Sequence, residues 1–361
     1  MLFGAHAIIR KYINIMGKFC QLLSGGKIFL CKDDPMSTSD PSTTEEDSSV
    51  RNLVYTCPVD HTGTSVFVKG WLIPENNKRP VVLVHGLGES VELMAPFAKK
   101  LAARGYSVYG FDLRGHGQSG RKLGHIPSFH QLSLDLLQVV AWVKHKEAGR
   151  KPIIIGQGMG SLVALFFGKG YAKFCHSMVF VSPTFSLVDH IKSYRRFSLK
   201  TLAELLPTMM LPSRFCPQFT QIDMLSSKAP KISALLAYEL LNAISQSRKQ
   251  FQRHRLKSLV LCPKEDGVAR YEFLKRAVQK HKFSERIDLH FMETNYHHIL
   301  TAKDAVITDA VSVIAEWLDR NHAEEKAKKQ ARKDDDKDSE SRSPSVFNTS
   351  QERGAENLPS A

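Results

Sequence analysis

Two glycine-containing turns follow apolar strands in this sequence, and both have the order of elements that reactions at a carbonyl group need. Residues 153–165, IIIGQGMGSLVAL, form an apolar strand, a turn dense in glycine and the start of a helix. Such a turn lifts one residue above the end of a sheet and is the usual context of a nucleophile. Residues 81–89, VVLVHGLGE, repeat the order of strand and glycine turn. A loop of this kind lends a backbone N–H, here that of Leu87, to a developing oxyanion.

The elements that must position these turns alternate between strand and helix patterns. Strands are predicted at 66–73, 81–85, 107–111, 152–155, 177–181, 258–262 and 287–292. Helical periodicity appears at 93–104, 129–146, 160–169, 271–282 and 302–320. Strands that are apolar throughout are typical of a parallel sheet buried on both faces. The alternation therefore predicts an α/β fold with a mostly parallel central sheet and helices on both sides.

Composition divides the chain into four parts. Residues 1–32 are basic without any acid and favour an amphipathic segment, either at an anionic membrane surface or packed on the domain as a loosely ordered terminus. Residues 33–53 are rich in Ser, Thr, Asp and Pro and are predicted to be a disordered linker. Residues 54–320 hold the α/β domain, in which 183–255 form an inserted helical cap. Residues 321–361 are predicted to be a disordered charged tail.

Charge and cysteine usage narrow the class of function. The chain has 50 Lys and Arg against 36 Asp and Glu, a net charge of +14. It has no zinc spacing, RNP-like signature or obvious helix-turn-helix, so we expect no nucleic-acid partner. Six widely spaced cysteines favour a reducing compartment, and no apolar run is long enough for a spanning helix. We expect a cytoplasmic protein, at most peripheral at a membrane, without metal or cofactor.

Five features in one order make residues 54–320 resemble the monoacylglycerol lipase and lysophospholipase group of α/β-hydrolases, often described as serine aminopeptidase-like. They are HGLGE, DLRGHGQSG, GQGMG before LVAL, the helical interval and the histidine of HHIL. The resemblance implies the α/β-hydrolase fold, with a helical cap insertion. It also implies hydrolysis of carboxylic esters by a Ser-His-Asp triad.

The same resemblance assigns the site residues. The family's elbow reads GHSMGG, and here it matches Gly156, Gln157, Gly158, Met159, Gly160 and Ser161. Glycine therefore stands at the position of the nucleophilic serine. The resemblance places the triad acid at Asp266 and the triad histidine at His297, since the family's H-x-[IV]-L pattern fits His298 less well by one position. The N–H of Met159 joins that of Leu87 in the implied oxyanion hole.

Glycine at the elbow has a direct chemical consequence. Gly158 has no hydroxyl, so it cannot attack a carbonyl carbon. In subtilisin, loss of the serine costs about 10⁶-fold in kcat. Ser161 lies one helical turn away on a different face and is expected to be a helix-start residue. Because glycine relaxes the strained elbow backbone, the replacement is expected to cost function and not fold.

We therefore expect an α/β-hydrolase relative that binds an apolar or acyl ligand, or a partner, without catalysis. One alternative is an active esterase or lipase in which water or another nucleophile works with His297 and Asp266. Another is a membrane-associated scaffold. The sequence leaves the oligomeric state open. Residues expected to contact the ligand are His85, Gly86, Leu206, Met209 and Met210.

Overall fold

The computed structural model describes residues 50–60, 63–74, 78–119, 122–188, 193–211, 231–279 and 285–341. Met1–Ala315 and Glu316–Ala361 form two compact units. The predicted basic segment 1–32 lies outside the described residues, so its attachment to a membrane stays a prediction. Within the described ranges, no helix combines the length and the apolar character needed to cross a bilayer.

An eight-stranded sheet forms the centre of the first unit. Its strands lie in the order β1-β2-β4-β3-β5-β6-β9-β10. The pairs β1–β2 and β2–β4 are antiparallel, and every later pair is parallel. The bounds are β1 Arg51–Pro58, β2 Ser65–Leu72, β3 Val81–Val84, β4 Val108–Phe111, β5 Ile153–Gln157, β6 Met178–Val181, β9 Ser258–Pro263 and β10 Ile287–Met292. The predicted α/β-hydrolase fold is confirmed.

Burial along the strands explains which of them can be predicted from the sequence. Every residue of β3, β4, β5, β6 and β9 is buried, as a parallel sheet covered on both faces requires. Strand β1 is mostly exposed and was missed. Residues 51–53 belong to this strand, which corrects the predicted linker boundary at 53. An edge strand is held by backbone pairing, here from Arg51 opposite Leu72 onward, and needs little apolar sequence.

Within the described ranges, the α-helices are α1 Ala95–Ala103, α2 Phe129–Lys146, α3 Met159–Tyr171, α4 Ser193–Leu205, α5 Ala234–Phe251, α6 Glu272–Val278 and α7 Asp304–Ser341. Serine side chains cap two of them. Ser128 accepts the N–H of Gln131 at the start of α2, and Ser233 accepts that of Leu236 at the start of α5.

Helix α7 corrects the predicted disordered tail for residues 321–341, while 342–361 lie outside the described residues. The segment cannot build a core, but Ala, Glu, Lys, Gln and Arg are strong helix formers. A helix makes its backbone hydrogen bonds within itself, so low apolar content does not exclude it.

The interval 183–255 contains the two helices α4 and α5, as expected for a helical cap. It also contains a short antiparallel pair, β7 Met210–Leu211 with β8 Ile232–Ser233, where no strand was expected. Two-residue strands leave no periodic signal in a sequence. Helix α5 packs against both α3 and α4.

Candidate active site

The loops after four parallel strands carry the residues of the candidate site. They follow β3, β5, β9 and β10 and supply Leu87, Gly158, Asp266 and His297 respectively. In open α/β sheets, the carboxyl ends of parallel strands meet at one edge, where ligands bind. The sheet order thus gathers residues that lie more than 200 positions apart in the chain.

The turn between β5 and α3 has the geometry of a sharp elbow. Gly158 lies at φ +53° and ψ −114° and precedes the first residue of the helix. A Cβ at Gly156 would lie 2.5 Å from the Gly160 carbonyl oxygen, and one at Gly160 would lie 2.1 Å from that of Val84. A Cβ at Gly158 would meet its nearest neighbour, His297 Nε2, at an ordinary 3.5 Å. The two flanking glycines are therefore required for packing, whereas position 158 has room for a side chain.

Asp266 and His297 form a hydrogen-bonded pair beside this turn. His297 Nδ1 lies 2.8 Å from Asp266 Oδ2. Asp266 also accepts the N–H groups of Val268 and Ala269 and the hydroxyl of Tyr271. Burial alone would raise the pKa of Asp266, but its hydrogen bonds and the adjacent His297 lower that pKa below the ordinary value. An ionised Asp266 fixes the ring so that Nε2 faces Gly158.

A narrow cavity opens in front of Gly158. The expected oxyanion-hole residues Leu87 and Met159 both line it, next to Gly158 and His297. The Met159 N–H lies in the first turn of α3, where helical N–H groups have no acceptor within the helix. The full lining is Gly86, Leu87, Gly158, Met159, Thr184, Leu187, Leu240, Ile244, His297 and His298.

Four of the five residues expected to contact the ligand do not line this cavity. His85 is buried with Nδ1 2.7 Å from the Gly86 carbonyl oxygen, and its Nε2 accepts the N–H of Leu113 at 2.9 Å. Its ring joins two loops and does not line the cavity, unlike Gly86. Leu206 and Met209 are 54% and 45% exposed, and neither they nor Met210 in β7 belong to the lining. Apolar composition in a cap does not tell which side chains turn inward.

Ser161, the alternative nucleophile considered above, faces away from the cavity. Its hydroxyl donates to the Gly156 carbonyl oxygen at 2.6 Å, and the Val181 oxygen lies 3.1 Å from it. The side chain is fully buried between β5 and β6. Its hydroxyl therefore donates to carbonyl oxygens of the elbow and of β6, whereas a helix-start serine was expected to accept a free N–H.

A buried carboxylate beneath the site was missed in the sequence. Glu89 is 3% exposed and accepts four hydrogen bonds, from Gly86 N, Gln157 Nε2, His298 Nδ1 and Thr301 Oγ1 at 2.6–2.8 Å. Burial opposes its ionisation, but the charge of His298 and these hydrogen bonds lower its pKa to about 2. The available signal was an acid at the end of a buried-strand loop, which is also typical of a surface turn.

Gln157 connects the elbow to the loop that carries His297. While its Nε2 donates to Glu89, its Oε1 accepts the N–H of Leu300 at 2.7 Å. The side chain is completely buried. Both halves of the amide are therefore satisfied, and the histidine loop is held against the turn at Gly158.

This sheet, elbow and His–Asp pair define an α/β-hydrolase. A model of the family described as "Serine aminopeptidase, S33" matches residues 75–304, more than half of the chain. The chain belongs to this family.

Relatives of known activity match over shorter stretches. The monoacylglycerol lipase of Mycolicibacterium smegmatis is 26% identical over 145 residues, 40% of this chain and 52% of that protein. Lysophospholipase L2 of Escherichia coli K12 is 29% identical over 140 residues, 37% of this chain and 41% of that protein. The chain thus spans about half the length of these relatives.

Solved structures agree on the fold over most of the chain. The monoacylglycerol lipase of Paleococcus ferrophilus superposes with a TM-score of 0.58 at 22% identity, covering 70% of this chain and 98% of that one. A soluble variant of monoglyceride lipase from Saccharomyces cerevisiae gives 0.62 at 16% identity, with 78% and 99% covered. At these identities the likeness concerns the fold alone.

Proposed function

We propose that this chain is a lipase-like α/β-hydrolase relative that binds an acyl or other lipid ligand without forming an acyl-enzyme. The observation that carries the proposal is that the residue facing His297 Nε2 is Gly158. A triad histidine acts by removing the proton of a hydroxyl as its oxygen attacks, and glycine has neither atom. The resemblance to the GHSMGG elbow supports the interpretation that a serine has been replaced here.

The surroundings of Ser161 support the same proposal. A substitute nucleophile must lie within hydrogen-bond reach of the base and face the bound carbonyl carbon. The Ser161 hydroxyl instead lies against the backbone carbonyl oxygens of Gly156 and Val181. The residue does not line the cavity. Without a nucleophile, the precedent of subtilisin predicts a loss of about 10⁶-fold, or about 8 kcal/mol in activation free energy.

The cavity favours a single apolar chain as the ligand. Five of its ten lining residues are large and apolar: Leu87, Met159, Leu187, Leu240 and Ile244. Each methylene group transferred from water into such surroundings contributes about 0.8 kcal/mol. The relatives named above are lipases of monoacylglycerols and lysophospholipids, each of which carries one acyl chain. We therefore propose a one-chain acyl lipid.

Binding and turnover of such a lipid can be measured together. The full chain is incubated with 1-monooleoylglycerol and, separately, with oleoyl-lysophosphatidylcholine. Native mass spectrometry counts bound lipid, and chromatography measures the oleate released. The proposal predicts binding of one lipid per chain and no more oleate than a His297→Gln variant releases. Release of many oleate molecules per chain that His297→Gln abolishes would overturn it.

A second candidate is an esterase that uses water in place of serine, and the intact pair of His297 and Asp266 favours it. The space next to His297 Nε2, where a Cβ would sit at 3.5 Å, suits a small nucleophile held by the imidazole. This candidate predicts turnover that falls in both His297→Gln and Asp266→Asn and is unchanged in Ser161→Ala. Unchanged turnover in His297→Gln would reject it.

A further inference from the structure

Two residues that line the cavity each have a buried polar atom without a hydrogen-bond partner among the described residues. The atoms are His298 Nε2 and Thr184 Oγ1. The two residues are 9% and 5% exposed, and both line the cavity in front of Gly158. Buried polar groups are nearly always hydrogen-bonded in native proteins, so two such atoms on one cavity point to a ligand group that meets them.

The partner of His298 gives its ring a defined protonation. Nδ1 lies 2.7 Å from Glu89 Oε1, inside a cluster where this carboxylate accepts four hydrogen bonds. Burial alone lowers the pKa of His298, but the charge and hydrogen bond of Glu89, together with Asp266, raise it above the ordinary value. A buried carboxylate is tolerated when a cation is paired with it. With Nδ1–H directed to Glu89, the imidazolium retains Nε2–H as a second donor.

Four residues of the lining carry a group that can donate a hydrogen bond. His298 offers Nε2–H and Thr184 a hydroxyl, while Leu87 and Met159 in the same lining each carry a backbone N–H. The ring of His297 lies with its centroid 5.1 Å from that of His298 and borders the same space. An ionised carboxylate only accepts hydrogen bonds and has two oxygens, whereas an ester carbonyl offers one strongly accepting oxygen.

We propose that His298 is a ligand-contacting residue that makes this cavity select a long-chain carboxylate, a free fatty acid, over the corresponding ester. The carboxylate accepts from His298 Nε2–H and from Thr184, and the alkyl chain packs against Leu187, Leu240 and Ile244 of the lining. Hydrogen bonds between charged partners are about twice as strong as neutral ones, so the charged head is favoured. This inference rests on the proposed function and deepens it by naming the head group.

Three ligands with the same chain and different heads test the inference: oleate, 1-monooleoylglycerol and oleyl alcohol. Each is titrated into the full chain at neutral pH, below its own aggregation concentration, and binding is followed by displacement of a fluorescent fatty-acid probe. We expect oleate to bind about 10-fold or more tightly than the ester and the alcohol.

His298→Asn is the central variant, since the asparagine amide can replace Nδ1–H at Glu89 while the donor at Nε2 is removed. Oleate should then bind about as weakly as the ester, and ester binding should stay unchanged. Thr184→Val should also lower the affinity for oleate. His290→Asn is the matched control, because His290 lies exposed on β10 and outside the lining, and it should leave all three affinities unchanged.

Equal binding of oleate and ester by the native chain would overturn the inference and leave the proposed function standing. Oleate preference that survives in a folded His298→Asn variant would also overturn it. Failure of all three ligands to bind would overturn both. If His298→Asn gives no cooperative thermal melt, two other results decide. A native chain that binds oleate no more tightly than the ester, or an unchanged preference for oleate in Thr184→Val, would overturn the inference.

Discussion

Gly158 and His297 face each other at the candidate site, with Nε2 of the histidine 3.5 Å from the point that a Cβ on the glycine would occupy. The turn keeps its positive φ of 53° without any side chain to hold it there. Its conformation is set by the Gly158 N–H, which donates to the Val181 carbonyl oxygen, and by the close packing of Gly156 and Gly160. The backbone contacts set the shape of the elbow, whereas the side chain at position 158 sets its chemistry. Substitutions can therefore test the two separately.

Adding one methyl group at position 160 should disturb the packing of α3 against the sheet and lower the stability of the fold. In Gly160→Ala the new Cβ would lie 2.1 Å from the Val84 carbonyl oxygen, so the helix must move. We expect a loss of about 3 kcal/mol in the free energy of unfolding, measured by urea denaturation. Gly170→Ala is the control on the same helix, because its Cβ meets nothing within 4 Å. It should gain about 0.5–1 kcal/mol. Equal stability of the two variants would contradict this description of the elbow.

Ser161 should matter to stability and not to binding. Its hydroxyl bonds the Gly156 carbonyl oxygen at 2.6 Å, so Ser161→Ala should lower the free energy of unfolding by about 1 kcal/mol. Ser245→Ala, on the exposed side of α5, is the matched control and should change stability by less than about 0.5 kcal/mol. A lipid affinity altered in Ser161→Ala while Ser245→Ala is unchanged would show that the side chain reaches the ligand.

The pair of Glu89 and His298 should make stability depend on pH in a defined window. The folded pKa of Glu89 is about 2 against an ordinary 4.5, so its contribution is full above about 4.5 and is lost as pH falls toward 2. The pKa of His298 is raised, so its contribution is full below its ordinary 6.5 and is lost as pH rises through the folded value. The pair therefore stabilises the fold most between pH 4.5 and pH 6.5, the ordinary pKa values of the two groups.

Glu89→Gln tests that window by urea denaturation. Removing one partner of a buried pair should cost about 3–5 kcal/mol at about pH 5.5, and the deficit should shrink by about pH 2.5. Glu92→Gln is the control, since Glu92 is exposed and pairs with Lys69 at the surface, where less than about 1 kcal/mol is expected. A deficit for Glu89→Gln that stays constant with pH would show that ionisation of Glu89 is not what stabilises the cluster.

The sequence predicted the parts of the fold that burial dictates. Strands β3 to β6 and β9 are mostly apolar because both faces of the sheet are covered, and the sequence therefore indicates where their loops begin. Strand β1 and the part of helix α7 after residue 320 were not predicted, because backbone hydrogen bonds stabilise them where the sequence has few apolar residues. Low apolar content was read as lack of structure, which holds for a core but not for an edge strand or a helix of strong helix formers.

At the site, backbone motifs predicted positions better than side-chain roles. Glycine spacing located Leu87, Gly158 and Met159, all of which line the cavity. The hydrogen bonds of His85 and of Gln157 depend on which loops meet in three dimensions, and no local pattern encodes that. Thr184 and His298 reach the cavity from loops 114 residues apart, so their meeting depends on the order of the strands in the sheet.

Fluorophosphonate labelling of Gly158→Ser tests the central claim most directly. The native chain and Gly158→Ala should stay unlabelled by intact-mass measurement. Gly158→Ser should gain one covalent adduct mapped to position 158, at a rate that Asp266→Asn lowers in the same background, because the hydroxyl would lie beside His297 Nε2. Labelling of the native chain that Ser161→Ala abolishes, or a folded Gly158→Ser variant that stays unlabelled, would contradict the account.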